Sequence, residues 1–285
     1  MIKFNYKKFN LLEEIKMLNN NSLDTICAAL CYAMGVEAPS ISAPANKDLV
    51  EYIDKVFAGE KADRILMYNP DAVAQWIYEK YARYCQEAKH YTDIEIPLQT
   101  VMPSVTPVCF ATMYTGAQPE IHGIRKYAKP VLTVETIFDA MIKAGKKCAI
   151  ITSGECSISK IFLERKLDYF HYAKGEAVNR ANAMAAEVII RDQHDFVVVY
   201  NGNYDSVMHK FGPESMEAIS ELRANSIDFA TLSNLVERNW GAHNSLVGFA
   251  MDHGCHEIDG NCGAHGLDME EDLNIVHLYK GYPKR

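Results

Sequence analysis

Val101-Met-Pro-Ser-Val-Thr-Pro-Val-Cys-Phe-Ala-Thr-Met-Tyr-Thr-Gly-Ala-Gln-Pro-Glu-Ile-His-Gly-Ile124 is the stretch around which the chain is organised. A strand over Leu98 to Met102 ends inside it, a proline-bounded turn lifts Thr106 out of the backbone, and a short helix runs from Pro107 toward Gly116. Proline suits a first helical position because its missing N–H would have no partner there, and glycine suits the left-handed residue that stops a helix. A hydroxyl at a strand-to-helix turn lies over free helix N–H groups and the positive end of a dipole, where an anionic group settles. Thr106 is therefore the candidate nucleophile. Taken alone, a threonine in this position reads as a helix cap. Acids and histidines elsewhere in the chain reverse that reading.

Toward the N-terminus, Ile65-Leu-Met-Tyr68 is a short apolar run bounded by Asn69-Pro70, and a long helical pattern follows from Asp71 to about Lys89. This predicts a buried strand feeding a helix, with Asp71 at the strand's carboxyl end, the edge where open α/β sheets place their ligands. Residues 1–60 read as helical: Leu11 to Leu18, Leu23 to Met34 with Ser22 as its cap, and Lys47 to Phe57, with a Pro39–Pro44 loop between the last two. They carry packing and no evident chemistry.

Toward the C-terminus, helical and strand patterns alternate. Thr133 to Ala144 is helical and Lys147 to Thr152 a strand; Ile158 to Tyr172 fits neither period; Glu176 to Arg191 is helical and Phe196 to Tyr200 a strand. A helix over Glu214 to Asn239, a strand over Ser245 to Met251, a loop over Cys255 to Asn261 and a strand over Ile275 to Tyr279 complete the chain. The alternation predicts an α/β fold whose mostly parallel sheet is covered on both faces.

With 285 residues, 48% hydrophobic and 23% charged, the chain can bury a full core. A net charge of −8 and the absence of any long Lys/Arg cluster argue against a nucleic-acid polymer as partner, while a small phosphorylated substrate stays open if metal charge offsets the acidic average. The first residues lack an apolar leader segment and no run reaches membrane-spanning length, so a cytoplasmic location and no membrane partner are expected. Eight cysteines without a C-x-x-C pair read as buried thiols, with Cys255 and Cys262 flanking a His/Asp-rich region and open to a local contact. Nothing in the sequence fixes an oligomeric state.

Acids and imidazoles recur where strands end: Asp71; Asp205 with His209; Asp252-His253 with His265. A four-residue gap puts Asp205 and His209 on one side of a helical turn. Adjacent Asp252 and His253 reach one ion only if the strand ends in a turn, which Gly254 allows. Mixed carboxylate and imidazole donors suit zinc, the first choice, or manganese. Singly, each of these residues reads as a cap, a surface pair or a loop histidine. Such a series in a chain with 10 histidines makes coincidence the weaker account.

Pro-Ser-Val-Thr106, Thr115-Gly116-x-x-Pro119-x-x-His122-Gly123-Ile124, Asp205-x-x-x-His209-x-x-Gly212-Pro213, Asp252-His253-Gly254 and Gly263-x-His265-Gly266 together resemble the alkaline phosphatase superfamily, specifically its nucleotide pyrophosphatase/phosphodiesterase and phosphonoacetate hydrolase branch. The similarity runs from about Asp63 to the C-terminus. It implies a three-layer α/β/α sandwich over residues 61–285 with a small insert near 152–178; residues 1–60, which it does not cover, read from their own pattern as a helical extension packed on that core. It further implies two metal ions beside a threonine nucleophile, one held by Asp205, His209 and His265, the other by Asp71, Asp252, His253 and the Thr106 oxygen. The family usually shows Asp-Gly where this chain has Asp71-Ala72, and Asp63 is the nearest spare acid.

His122 is expected to fix the turn after Gly116 through ring hydrogen bonds and to bind no metal. No Cys-x-Pro-x-Arg segment is present, which disfavours a sulfatase, and the insert is small for a mutase cap. The expected activity is a metal-dependent phosphodiesterase or nucleotide pyrophosphatase. Phosphonate or phosphomonoester hydrolysis is the alternative within enzymes, and a catalytically silent, metal-stabilised binding protein the alternative outside them. Lys160, Arg165, Lys166 and Lys174 are candidates to meet a second anionic group on the substrate.

Overall fold

The computed structural model describes residues 17–173 and 179–285. Its centre is a seven-stranded sheet built from β1 (Arg64–Pro70), β2 (Ile94–Gln99), β3 (Cys148–Ser153), β4 (Asp168–Tyr172), β5 (Phe196–Asn201), β6 (Ser245–Ala250) and β9 (Asn274–Tyr282) in the order β2-β9-β6-β1-β5-β3-β4; β7 (His256–Ile258) and β8 (Cys262–Ala264) form a separate hairpin. β1 pairs in parallel with β5 and β6, and β3 with β4 and β5, whereas β9 is antiparallel to both β6 and β2. β9 is thus the one strand running against the rest, and β1, β2, β5 and β6 all end at the same edge.

Every residue of β5 and β6 is buried, as expected of strands covered on both faces. Two consecutive residues of β1 show the two layers directly. The Tyr68 hydroxyl donates to Asn225 Oδ1 (2.8 Å) on the helix Met216–Asn239, while Asn69 Oδ1 accepts from the Tyr114 hydroxyl (2.6 Å) on the helix Thr106–Thr115. Successive strand side chains point to opposite faces, so helices lie above and below the sheet. The architecture is the mostly parallel α/β sandwich that the sequence predicts.

Differences from the sequence reading have local causes. The first described helix is Thr25–Ala33, and Ser22 does not cap it with its side chain; the Ser22 carbonyl instead accepts from the Thr25 N–H (3.1 Å) and hydroxyl (2.6 Å). Lys47–Val56 is capped by Asn46, whose side chain accepts from the Leu49 N–H. The helix expected over Leu11 to Leu18 lies outside the described residues except Met17 and Leu18, which are not helical. The long pattern from Asp71 breaks into Gln75–Lys80, a 3-10 turn at Ala82–Tyr84 and Gln86–His90. Ala72 is left-handed, with φ 60°, and the Ala88 N–H is taken by Ser226 Oγ (2.9 Å) from the facing helix.

The ambiguous stretch after Ile158 resolves into the short helix Ser157–Ile161 and β4, an edge strand of the main sheet. The expected Cys255–Asn261 loop includes β7 of the hairpin. All eight cysteines are free, and Cys255 and Cys262 do not bond to each other. Among the described residues no helix is long and apolar enough to cross a membrane.

Candidate active site

The shared strand edge gathers the predicted residues. Asp71 follows β1; Thr106 opens the helix Thr106–Thr115 beyond β2; Asp205 and His209 lie on the helix Asn203–Phe211 beyond β5; Asp252 and His253 follow β6; His265 follows the hairpin. They form two groups of metal-ligand type, Asp71–Asp252–His253, wholly buried, and Asp205–His209–His265, more open. The His253 and His265 rings lie 4.1 Å apart between centroids, tilted by 34°, which joins the two groups into one centre.

Thr106 is 4% exposed and its hydroxyl lies 3.4 and 3.5 Å from the two oxygens of Asp71 and 3.3 Å from His253 Nε2. His253 Nε2 is also 3.3 Å from Asp71 Oδ1 and 3.3 Å from Asp252 Oδ2. In the second group, Asp205 Oδ1 lies 3.1 Å from His209 Nε2 and 3.3 Å from His265 Nε2, and the two Nε2 atoms face each other at 3.2 Å.

The tautomers follow from the backbone. His209, His265 and His253 each place Nδ1 2.9 Å from a carbonyl, of Gly263, Ser104 and Gly254 respectively, so Nδ1–H donates and Nε2 is the atom turned into the centre to take a metal ion or a proton. Without either, the Nε2 lone pairs would face each other and a carboxylate oxygen and repel. Asp205 Oδ1 and Asp252 Oδ2 are moreover buried with no hydrogen-bond partner, an expense that a bound cation removes. The donor set fits zinc or manganese.

The titrations carry the same signature. Burial and then the negative field of Asp71 raise the Asp252 carboxyl well above the usual carboxylate range. Burial alone would lower His253, but Asp252 and Asp71 raise it to about 10. Burial opposes ionisation of Asp205, yet His209 and His265 hold its carboxyl below the ordinary range, and the neighbouring Asp205 carboxylate raises His209. A proton and a metal ion compete for the same ring lone pairs.

Local backbone explains how the ligands reach the centre. Ala72 takes the left-handed conformation in which glycine is favoured, at a cost of about 1–2 kcal/mol for a residue with a Cβ, and its N–H donates to Asp252 Oδ1 (3.1 Å). The loss of the glycine therefore leaves Asp71 in place. Asp63 lies at the opposite end of β1, where its carboxylate accepts from the Asn244 N–H (2.9 Å), and takes no part. Gly254 is needed for close approach: a Cβ there would stand 2.0 Å from the Glu271 carbonyl oxygen. The Gly254 N–H donates to the Asp272 carbonyl (2.9 Å), while the buried Asp272 carboxylate accepts from Leu267 N–H (2.8 Å) and from His256 Nδ1 (2.7 Å).

His122 behaves as expected, its ring bonded to Thr112 Oγ1 (3.0 Å) and the Ile124 N–H (3.2 Å), with burial pushing its pKa down to about 4. The candidate anion contacts fare differently. The Arg165 side chain, 7% exposed, ties the 132–139 segment together through Asp139, Thr136 and the carbonyls of Leu132 and Val134. Lys160 pairs with Glu155 (2.7 Å), Lys166 is exposed, and Lys174 lies outside the described residues.

Three residues at the centre escaped the sequence reading. Tyr200, at the end of β5, donates its hydroxyl to Asp71 Oδ2. Tyr127 is 62% exposed, and its hydroxyl is raised by partial burial and then by the fields of Asp71 and Asp205, which it feels from outside the ligand groups. Asp272 braces the ligand-bearing loops. None stands in a spaced motif; for Tyr200 the one available signal is its place at a strand end beside Asp71.

A mostly parallel sheet with an antiparallel strand inserted beside β6, and acid and imidazole groups around a threonine at its carboxyl edge, agree with the expected resemblance to the alkaline phosphatase superfamily. The chain belongs to the type I phosphodiesterase / nucleotide pyrophosphatase family, whose sequence profile matches residues 89–281. A search of curated protein sequences found no match. Among solved structures, the murine ectonucleotide pyrophosphatase/phosphodiesterase 5, in an inactive form bound to AMP, superposes with TM-score 0.54 at 16% identity, covering 70% of this chain and 59% of its own. The human counterpart gives 0.55 at 16% identity, over 69% and 58%. Phosphonoacetate hydrolase from Sinorhizobium meliloti with phosphonoacetate gives 0.50 at 20% identity, over 70% and 59%. This chain thus spans less than two thirds of the length of these structures, which share its fold.

Proposed function

We propose that the protein is a two-metal phosphohydrolase acting on phosphodiester or nucleotide pyrophosphate bonds, with Thr106 as nucleophile. The observation that carries this reading is the Thr106 hydroxyl lying 3.3–3.5 Å from Asp71 and His253 beside a second acid–imidazole group. Asp205, His209 and His265 would hold one ion, and Asp71, Asp252, His253 and Thr106 Oγ1 the other, zinc being the first choice. When bound, such a pair activates a hydroxyl or a water and neutralises charge developing on phosphorus oxygens.

The chain supplies the remainder. Thr106 Oγ1 forms a bond to phosphorus as the bond to the leaving oxygen breaks; water then cleaves the threonine ester, releasing the phosphoryl product and restoring the hydroxyl. The start of the helix Thr106–Thr115 sets a positive dipole end against the phosphoryl oxygens. Burial of Thr106 and Asp71 keeps bulk water from the nucleophile.

The test is hydrolysis of bis-p-nitrophenyl phosphate and nucleotide esters by protein given zinc or manganese, with phosphonoacetate and p-nitrophenyl phosphate in the panel. Thr106→Ala should abolish turnover while metal uptake persists. Equal activity in that variant removes the nucleophile assignment. Turnover of phosphonoacetate alone moves the reading to phosphonate hydrolysis, and stoichiometric binding without product makes the protein a metal-stabilised binder.

A further inference from the structure

We infer that Tyr200 is a positioning residue: its hydroxyl holds Asp71 so that one carboxylate oxygen faces Asp252 and His253, and this sets the cation affinity of that group independently of the Asp205–His209–His265 group. The inference rests on the two-ion reading.

The carboxylates of the centre are held in different ways. Asp252 Oδ1 is held by a backbone N–H, and the three imidazoles by backbone carbonyls. Among the described residues, Tyr200 is the one side chain outside the proposed ligand set that donates a hydrogen bond to one of its carboxylates. It engages Asp71 Oδ2, while Oδ1 is the oxygen that approaches His253 Nε2 at 3.3 Å. An ionised carboxylate accepts through both oxygens, so a donor fixed on one selects the other for a cation and stops the group from rotating.

The donor is itself fixed. Tyr200 is 7% exposed and pairs with Asn69 in the β1–β5 register, two residues before Asp71. Its ring stands edge-on to Phe110, on the helix that begins with Thr106, at 5.7 Å and 78°. Gly202 leaves room for the hydroxyl, since a Cβ there would lie 2.7 Å from it. Outer partners of this kind typically change metal affinity by about 10–100-fold when removed.

Tyr200→Phe keeps the ring and deletes the donor. Metal-free wild type and variant are titrated with zinc against a chromophoric chelator, and both binding constants are read. The wild type should take two equivalents. The variant should keep one at unchanged affinity and bind the other about 10–100-fold more weakly. In an Asp252→Asn background, which disables the same group, Tyr200→Phe should leave the remaining constant unchanged.

Two tight equivalents in the variant, or equal weakening of both, would overturn the assignment. A wild type that takes fewer than two equivalents defeats the two-ion reading itself and takes this inference with it. A second titration, of wild-type protein and variant matched in melting temperature, separates affinity from folding.

Discussion

Asp252→Asn should reverse its effect on stability according to whether metal is present. Asp252 is wholly buried, one of its oxygens lacks a hydrogen-bond partner, and Asp71 lies close enough for its field to raise the Asp252 carboxyl. A buried polar group without a partner costs about 1–3 kcal/mol. Asparagine has nearly the same shape, removes the ionisable group and can offer its amide to Asp71.

In EDTA near pH 10, where His253 gives up its proton and no longer attracts Asp252, the variant should therefore be more stable than wild type by about 1–3 kcal/mol, roughly 2–4 °C in melting temperature per kcal/mol for a large domain; at neutral pH the lost attraction between Asp252 and protonated His253 offsets this gain. The sign with pH is fixed. A carboxyl whose folded pKa is raised contributes stability below its unfolded value that is lost as pH rises through the folded one, so the variant's advantage grows as pH rises above the usual carboxylate range. With zinc at a hundred times its dissociation constant, each occupied site adds about 2.7 kcal/mol. Wild type should gain from both groups and the variant only from Asp205–His209–His265, which removes or inverts the difference. Urea denaturation of both proteins, with EDTA and with zinc, reads this directly. A variant less stable than wild type in EDTA near pH 10, or equal stabilisation of both by zinc, would refute the reasoning that ionised Asp252 is destabilising until a cation meets it.

The remaining predictions concern protons and scaffold. His253, raised to about 10, stabilises the metal-free protein fully below its unfolded pKa near 6.5, and that contribution is lost as pH rises toward 10; melting in EDTA from pH 6 to 10 should show the decline, and His253→Gln should flatten it. Zinc binding at pH 7 should release protons, measurable by calorimetry in buffers of different ionisation enthalpy. Arg165→Ala should lower stability by about 2 kcal/mol through loss of charged hydrogen bonds while zinc uptake and the KM for bis-p-nitrophenyl phosphate hold. A rise in KM alone would return Arg165 to the substrate site.

The sequence was most legible where chemistry and fold coincide. Thr106, Asp71, Asp205, Asp252 and His253 each follow a strand or open a helix, and in a parallel sheet strand ends share one edge, so the alternation of elements already places them together. The Gly116 stop and the His122 ring bonds were legible because each is local. What escaped depends on contacts between distant segments. The fresh start of a helix at Gln86 goes with an Ala88 N–H taken by a serine 138 residues away. Tyr200 looked like one more apolar strand residue, because a hydroxyl's partner is invisible without the neighbouring strand. Arg165 looked like surface charge, since burial of a long side chain by carbonyls leaves no periodic trace. The role of Gly254 was read as turn freedom, whereas the structure makes it clearance for the Glu271 carbonyl.

Asp272 couples the two halves of the centre. Its main chain clasps Gly254, next to His253, and its carboxylate clasps Leu267, two positions past His265. One residue at the foot of β9 thus ties the loop that carries His253 to the loop that carries His265. The hairpin tip at Asp259–Asn261 is exposed but ends two positions before Gly263, whose carbonyl holds His209, so a change of length there bears on His209 and not on this clasp.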